Sequence, residues 1–268
     1  MRDREMHRDN AAAWNVTAAI YERDEERDIA FLRAGGNSLM DPERRLLHDL
    51  GSWCRRAIHL QCAGGLDTLS LWKQGAAEVI GVDISERMTA SARRKSDALQ
   101  APACWYCGDV LDTPHDLDGT ADLVHTGRGA LLWMMDIQAW AQLVERLLAP
   151  RGRLHVFEGH PLDWVWDTGA SEFRLDRERG DYFTETIGAG EIWPAPYIAR
   201  QDDCTQQGVR LHDRQWTLGA VVNSLVDVGL RLARLEEHPD LFWNQFPNIP
   251  ADMARRLPHT YSLLMRKE

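Results

Sequence analysis

No run of apolar residues in this 268-residue chain approaches the roughly 18 needed to cross a bilayer. The opening MRDREMHRDN mixes charges and is followed by none of the apolar stretch of a secretory signal. Basic residues are also scarce. Lys and Arg number 31 against 41 Asp and Glu, a formal net charge of −10, whereas nucleic-acid or anionic-membrane binding asks for concentrated positive charge. The densest basic cluster, Arg93, Arg94 and Lys95, is short and reads as the solvated face of a helix. The five cysteines, an odd number at irregular spacings, argue against a disulfide framework. Cys104 and Cys107 form a C-x-x-C, but the segment reads as a strand, where residues three apart point to opposite faces, and no second metal-binding pair follows. The expectation is a soluble cytoplasmic protein without nucleic-acid, membrane or metal partners, with homo-oligomerisation left open.

What is present is an alternation. Residues 10 to 52 read as helical, with Trp14, Ala18 and Tyr21 spaced for one face and a break at Gly35-Gly36-Asn37. Strands are predicted at 56–61, 78–83, 103–110, 121–126 and 153–158. Helices are predicted after Gly65, over 85–99, and over 136–148 before Pro150. Such alternation implies right-handed βαβ units and a parallel sheet, hence a doubly wound α/β domain. Residues 160 to 215 lack a clean period. A helix at 217–230 and strands at 231–238 and 260–267 complete the chain.

In a doubly wound sheet, ligands sit beyond the carboxyl ends of the strands. The stretch HLQCAGGLDTLSLW, residues 59 to 72, carries a strand into a Gly64-Gly65 turn and out as a helix, which lets backbone N–H groups approach a ligand closely. The next strand ends in Asp83, eighteen residues after Gly65, near the spacing at which an acid grips ribose hydroxyls. The third strand ends in Gly108-Asp109-Val110, where a carboxylate can accept from an adenine amine.

These three strand ends resemble the class I S-adenosylmethionine-dependent methyltransferases over about residues 50 to 160 plus the two C-terminal strands. HLQCAGGLDTLSL, GVDIS and HTGRGALLWMMDIQAWA look like the bacterial small-molecule branch of that family, and the chain is also reminiscent of indole C3-methyltransferases of pyrroloindoline alkaloid pathways. The resemblance implies a Rossmann-like, mostly parallel sheet whose last strand is antiparallel. It also implies an N-terminal helical lid (1–52) and a methyltransferase domain (53–268) with a substrate-pocket insert at about 160–215. S-adenosyl-L-methionine is the implied cofactor. Of the family's acidic-x-Gly-x-Gly-x-Gly pattern only Gly65 is kept. His59 stands at the acidic position, Gln61 and Ala63 at the first two glycines, with Cys62 between them. By the same resemblance Asp83 binds the ribose diol, Ile84 and Met88 flank the adenine, and Gly108, Asp109 and Val110 meet its amine edge. Thr126 and Gly127 lie near the sulfonium, and Tyr21 and Arg33 close over the cofactor.

Proton removal from an acceptor points to Glu158 and His160, in EGHP after the fifth strand. Five of the 11 tryptophans (Trp164, Trp166, Trp193, Trp216, Trp243) fall after residue 159, outside the βαβ core. A ring cage of Trp14, Trp164, Trp166 and Trp193 suits a planar, indole-like small molecule. Three alternatives stay open: N- or O-methylation of another small metabolite, a nicotinamide-dependent oxidoreductase, and a non-catalytic cofactor-binding subunit.

Overall fold

The structure is a computed structural model that describes residues 2–178, 180–184, 187, 188, 204 and 207–268. Four helices open it: α1 (Arg2–Glu22), α2 (Glu25–Arg33), α3 (Asp41–Leu46) and α4 (Leu50–Trp53). The alternating core follows as β1 (Arg56–Leu60), α5 (Leu66–Lys73), β2 (Glu78–Asp83), α6 (Glu86–Leu99), β3 (Ala103–Cys107), β4 (Ala121–Gly127), α7 (Ile137–Leu147) and β5 (Leu148–Gly159). A short ribbon pairs β6 (Ile187–Gly188) with β7 (Asp213–Arg214). Then come α8 (Leu218–Asp227), β8 (Arg231–His238), the short helix α9 (Ala251–Ala254) and β9 (Thr260–Arg266).

The seven long strands form one sheet in the order β3-β2-β1-β4-β5-β9-β8. β1 to β5 are mutually parallel where they pair, and β9 runs antiparallel to both β5 and β8. This is the expected doubly wound, mostly parallel sheet with its last strand reversed. The order turns back between β1 and β4, so their connections leave in opposite directions and open a crevice at their carboxyl ends.

Burial explains the run-like apolar character of the central strands. β1 and β2 are buried after their first residue, because helices cover both faces. On one face Trp140 and Val144 of α7 and Val221 and Leu225 of α8 pack on Ile58, Val124 and Val156. On the other, Leu39, Leu47, Leu50 and Leu71 pack on Ala57, Val79 and Leu123.

Element ends differ from the predicted ones for local reasons. β3 stops at Cys107 instead of running to residue 110, because Asp109 takes up the capping of a short 3₁₀ turn by accepting from Leu111 N–H at 3.0 Å. β5 begins at Leu148, five residues earlier than predicted. Pro150 forces the residue before it out of helical conformation, so α7 passes straight into extended chain. Thr217 caps α8, its Oγ1 accepting from Ala220 N–H at 3.1 Å. Cys104 and Cys107 are both exposed, and among the described residues no His, Cys, Asp and Glu cluster could hold a metal ion.

Candidate active site at the carboxyl edge of the sheet

A cavity of about 380 Å³ opens at the crevice between β1 and β4, within the size range of small-ligand sites. Its floor is the turn after β1. Gln61 (φ 54°), Ala63 (φ 45°) and Gly65 (φ 77°) are all left-handed there. The two positions where the family pattern has glycine and this chain does not thus keep the conformation that glycine favours. At Gly65 the geometry admits nothing larger, since a Cβ would stand 2.6 Å from the Trp105 ring and 2.7 Å from Ala92 Cβ. The Gln61 side chain bridges the turn to the exit of β4, donating to Ala130 O at 2.9 Å and accepting from Thr126 Oγ1 at 3.2 Å. Cys62 and Ala63 line the cavity beside it.

Asp83 closes β2 at the same wall. Its Oδ2 accepts from Ala63 N–H at 2.8 Å and its Oδ1 from Ser85 N–H at 2.9 Å. Burial outweighs these donors and pushes its carboxyl up to about 6. Capping of α6 falls to Ser85, which accepts from Met88 N–H at 3.2 Å, so Asp83 is not the cap. Ile84 and Val110 reach the cavity wall. Asp109 does too, but α1 has reached it first: Arg4 donates to Oδ2 at 2.6 Å and His7 Nδ1 lies 2.7 Å from the same oxygen. These partners outweigh burial and hold its carboxyl below the usual range. Gly127 lines the cavity, whereas Thr126 is wholly buried behind it, its hydroxyl 3.3 Å from Leu60 O.

Four expected cofactor contacts, Arg33, Met88, Gly108 and Thr126, are not brought to the cavity lining. Met88 is fully buried in the packing of α6, on the inner stripe that such a spacing favours. Arg33 is exposed and donates to Ala98 O at 3.0 Å, because α2 turns that face toward the end of α6. Tyr21, expected beside it, does line the cavity. The cations that line it are others, Lys95 and Arg128 among them. Lys95 overturns its reading as solvated. It is 1% exposed, pairs with Asp28 of α2 at 2.8 Å, and its Nζ stands 3.2 Å from where a Cβ on Gly64 would lie. The sequence signal was its spacing, since Met88, Ala92 and Lys95 share one buried stripe.

The acceptor side is aromatic. Trp14 of α1 meets Trp133 edge-to-face at 5.3 Å, and both line the larger cavity with Phe242 and Trp243. A smaller cavity of about 40 Å³ adjoins it across Gly129, Phe242 and Trp243, and is walled by Trp164, Trp216 and Tyr261. Trp166 is not part of either wall. It packs on Phe173 at 5.4 Å in the cluster of Phe246 and Ile249, because the chain on either side of it bridges back to Leu175. Trp193 lies outside the described residues.

Glu158 and His160 both line the smaller cavity, and both are occupied. Glu158 is buried and accepts three backbone N–H groups, those of Gly129, Ala130 and Leu131, at 2.6, 2.7 and 2.9 Å. His160 Nδ1 accepts from Leu162 N–H at 3.1 Å, which leaves its Nε2 to carry the proton toward Glu237 at 2.9 Å. Both ring nitrogens of His160 are thus engaged, and three lone-pair sites of the Glu158 carboxylate are taken by backbone N–H groups, so neither stands in the cavity as an open base.

The family model described as "Methyltransferase domain" matches residues 57–152, from β1 into β5. Among solved structures, an S-adenosylmethionine dependent methyltransferase from Mesorhizobium loti is 22% identical and superposes with a TM-score of 0.59 over 84% of this chain and 96% of its own. The geranyl diphosphate C-methyltransferase of Streptomyces coelicolor A3(2), solved with Mg²⁺, geranyl diphosphate and S-adenosyl-L-homocysteine, is 12% identical, with a TM-score of 0.55 over 85% of this chain and 77% of its own. Among curated proteins none matches the sequence. The fold is thus that of the class I methyltransferases. With a methyltransferase domain matched from β1 into β5, the chain is an enzyme of the methyltransferase kind.

Proposed function

We propose that this methyltransferase alkylates a small, planar, indole-like natural product, in the manner of the indole C3-methyltransferases. The observation that carries this reading is the aromatic rim, where Trp14, Trp133, Phe242 and Trp243 border the larger cavity. Faces of this kind favour a flat acceptor and the cation formed as it is methylated. Asp83 takes the ribose hydroxyls, for which burial and two fixed N–H donors have pre-oriented it. Ile84 and Val110 flank the adenine, and Asp109, steadied by Arg4 and His7, accepts from its amine with a remaining lone pair. The turn of Gln61, Cys62, Ala63 and Gly65 receives the methionine portion, with Gly127 beside the sulfonium. Helices α1 to α4 act as the lid, and the stretch after β5 completes the acceptor side.

The bound cofactor supplies a methyl group on a good leaving group. The protein's task is to align the acceptor with it and exclude water, an orientation effect of up to about 7–11 kcal/mol in ideal cases. A ring carbon or nitrogen that attacks before losing its proton fits a site whose two nearest candidate bases are both engaged. In the C-methyltransferase from Streptomyces coelicolor, too, a small organic acceptor is bound together with S-adenosyl-L-homocysteine. The test is calorimetry with S-adenosyl-L-homocysteine, followed by an acceptor screen read by mass. Methylated indoles support the proposal. Turnover confined to non-aromatic amines or alcohols overturns the acceptor class, and binding of a nicotinamide dinucleotide in its place overturns the cofactor site.

A further inference from the structure

The loop from Arg128 to Leu131 leaves β4 and walls both cavities, with Gly129 common to the two. Its shape is not one that its own sequence favours. Arg128 has φ 59° and Gly129 φ 88°, after which Ala130 returns to helical angles. Two consecutive left-handed residues aim the N–H groups of Gly129, Ala130 and Leu131 to one point, an anion nest. Glu158, 3% exposed at the end of β5, fills that nest with both carboxylate oxygens. The far side of the loop is tied to the β1 turn, since Ala130 O accepts from Gln61 Nε2. One carboxylate therefore sets the distance between the cofactor turn and the wall of the acceptor cavity.

We propose that Glu158 is a positioning residue whose ionised carboxylate acts as a proton-controlled clamp on the 128–131 loop and so shapes the cofactor cavity. The inference rests on the methyltransferase reading for the identity of the ligand, but not for the clamp itself. Protonation turns one acceptor oxygen into an O–H donor that faces N–H groups, so the neutral acid cannot hold all three bonds. Among the described residues no side-chain cation pairs with Glu158 to secure its charge. Its cross-strand neighbour on β9 is Tyr261, whose phenol is held far above its usual range by burial and by Glu158 itself. On β5, His160 is turned to Glu237, and on the loop the Arg128 guanidinium is turned to Glu43 and Asp67. Burial accordingly pushes the Glu158 carboxyl up to about 7. The clamp thus changes state near neutral pH, closed above that value and loosened below it.

Two measurements on the full chain test this, each between pH 6 and 8. The first is amide hydrogen exchange at Gly129, Ala130 and Leu131, expressed as protection relative to the free peptide. The second is S-adenosyl-L-homocysteine affinity by calorimetry. In the native protein, protection and affinity should fall together as pH drops through about 7. In Glu158→Gln the loop amides should lose about tenfold or more of their protection at every pH, the scale of one charge-assisted hydrogen bond. The affinity limb near pH 7 should disappear, while the lower limb from Asp83 stays. Glu158→Asp, shorter by one methylene but still a carboxylate, should restore the pH dependence at reduced protection. Loop protection that is flat across this range in the native protein overturns the clamp, and this measurement stands even if the Gln variant does not fold. Affinity that keeps its limb near pH 7 in a folded Gln variant overturns it as well. If S-adenosyl-L-homocysteine fails to bind at any pH, the cofactor reading fails, and the exchange data still judge the clamp.

Discussion

The turns after β1 and β2 and the segment after β5 both end at the same crevice, yet they were built differently. At the turns after β1 and β2, Asp83 and Ser85 bond backbone within a few residues or one strand away, Asp83 to Ala63 and Ser85, and Ser85 to Met88. Beside them Asp109 and Lys95 take partners 67 to 105 residues away on α1 and α2. After β5, Glu158, Asp163, His160 and His259 are linked across 27 to 96 residues of sequence, and they line a cavity walled by aromatic rings. His259 shows the contrast well. One ring nitrogen lies 2.7 Å from Asp163 Oδ1 and the other 2.7 Å from Ala254 O, both acceptors, which holds the imidazole toward its charged form against burial. The turns themselves are held largely by local bonds, whereas the segment after β5 is held by partners brought from several elements.

The sharpest way to break the contrast is at Gly65. Gly65→Ala forces a left-handed alanine against Trp105 and Ala92, and should destabilise the fold by about 2–4 kcal/mol through strain and overpacking. A denaturant midpoint unchanged from the native protein would show that the turn has room. Next comes Asp83→Ala, which should weaken S-adenosyl-L-homocysteine by about 1.5–3 kcal/mol, or roughly 10- to 150-fold, if its carboxylate holds the ribose. Calorimetry on a folded variant decides, and an unchanged dissociation constant removes Asp83 from the site.

A smaller effect separates the rings. Trp243→Ala should raise the acceptor KM by about tenfold, the scale of one stacking or cation–π contact, with cofactor affinity nearly unchanged. Trp166→Ala should instead lower the melting temperature and leave the KM alone, because its ring packs on Phe173. Equal KM changes in the two variants would erase the distinction drawn between cavity wall and packing.

The smallest expected effect lies below the site. His59, His125 and His155 stand side by side across β1, β4 and β5, with ring centroids 4.8 and 5.2 Å apart. Burial holds all three neutral, His59 down to about 4 and His155 down to about 3. A histidine depressed in the fold gains protons on unfolding, so its contribution to stability is full above about pH 6.5 and is lost as pH falls toward the folded value. Glu43 and Glu158, each raised to about 7, act in the opposite sense. The comparison is therefore best made between variants. Between pH 8 and pH 6, His155→Leu should lose about 1 kcal/mol less than the native protein does. Losses equal to those of the native protein in urea titrations at the two pH values would mean that His155 takes up its proton as readily in the folded as in the unfolded chain, so that burial does not depress it.

The places of the glycine turn and of the acid after it were legible because their signals are periodic or adjacent. Gly65 and Asp83 each stand at a strand end, and apolar runs alternating with helical stripes mark those ends. The acceptor half resisted for a physical reason. Trp164 and Trp166 are two residues apart and chemically identical, but a bridge to Leu175 sends one to a cavity and the other to a core. Lys95, in a run of three basic residues, was misjudged because burial of a charge depends on a partner, and Asp28 lies on another helix, 67 residues away.

The amino-acid sequence by itself determined the alternating elements, the doubly wound sheet and the positions of the turn and the acid beyond its central strands. Those follow from hydrophobic period and backbone restriction, which act over a few residues. Only the tertiary structure decided what the polar side chains do. Glu158 and His160 look like bases in a chain, but whether a lone pair is free depends on which N–H groups the fold brings to it. For Glu158 those are three amides of a loop 27 to 29 residues earlier, joined to it by the parallel pairing of β4 with β5.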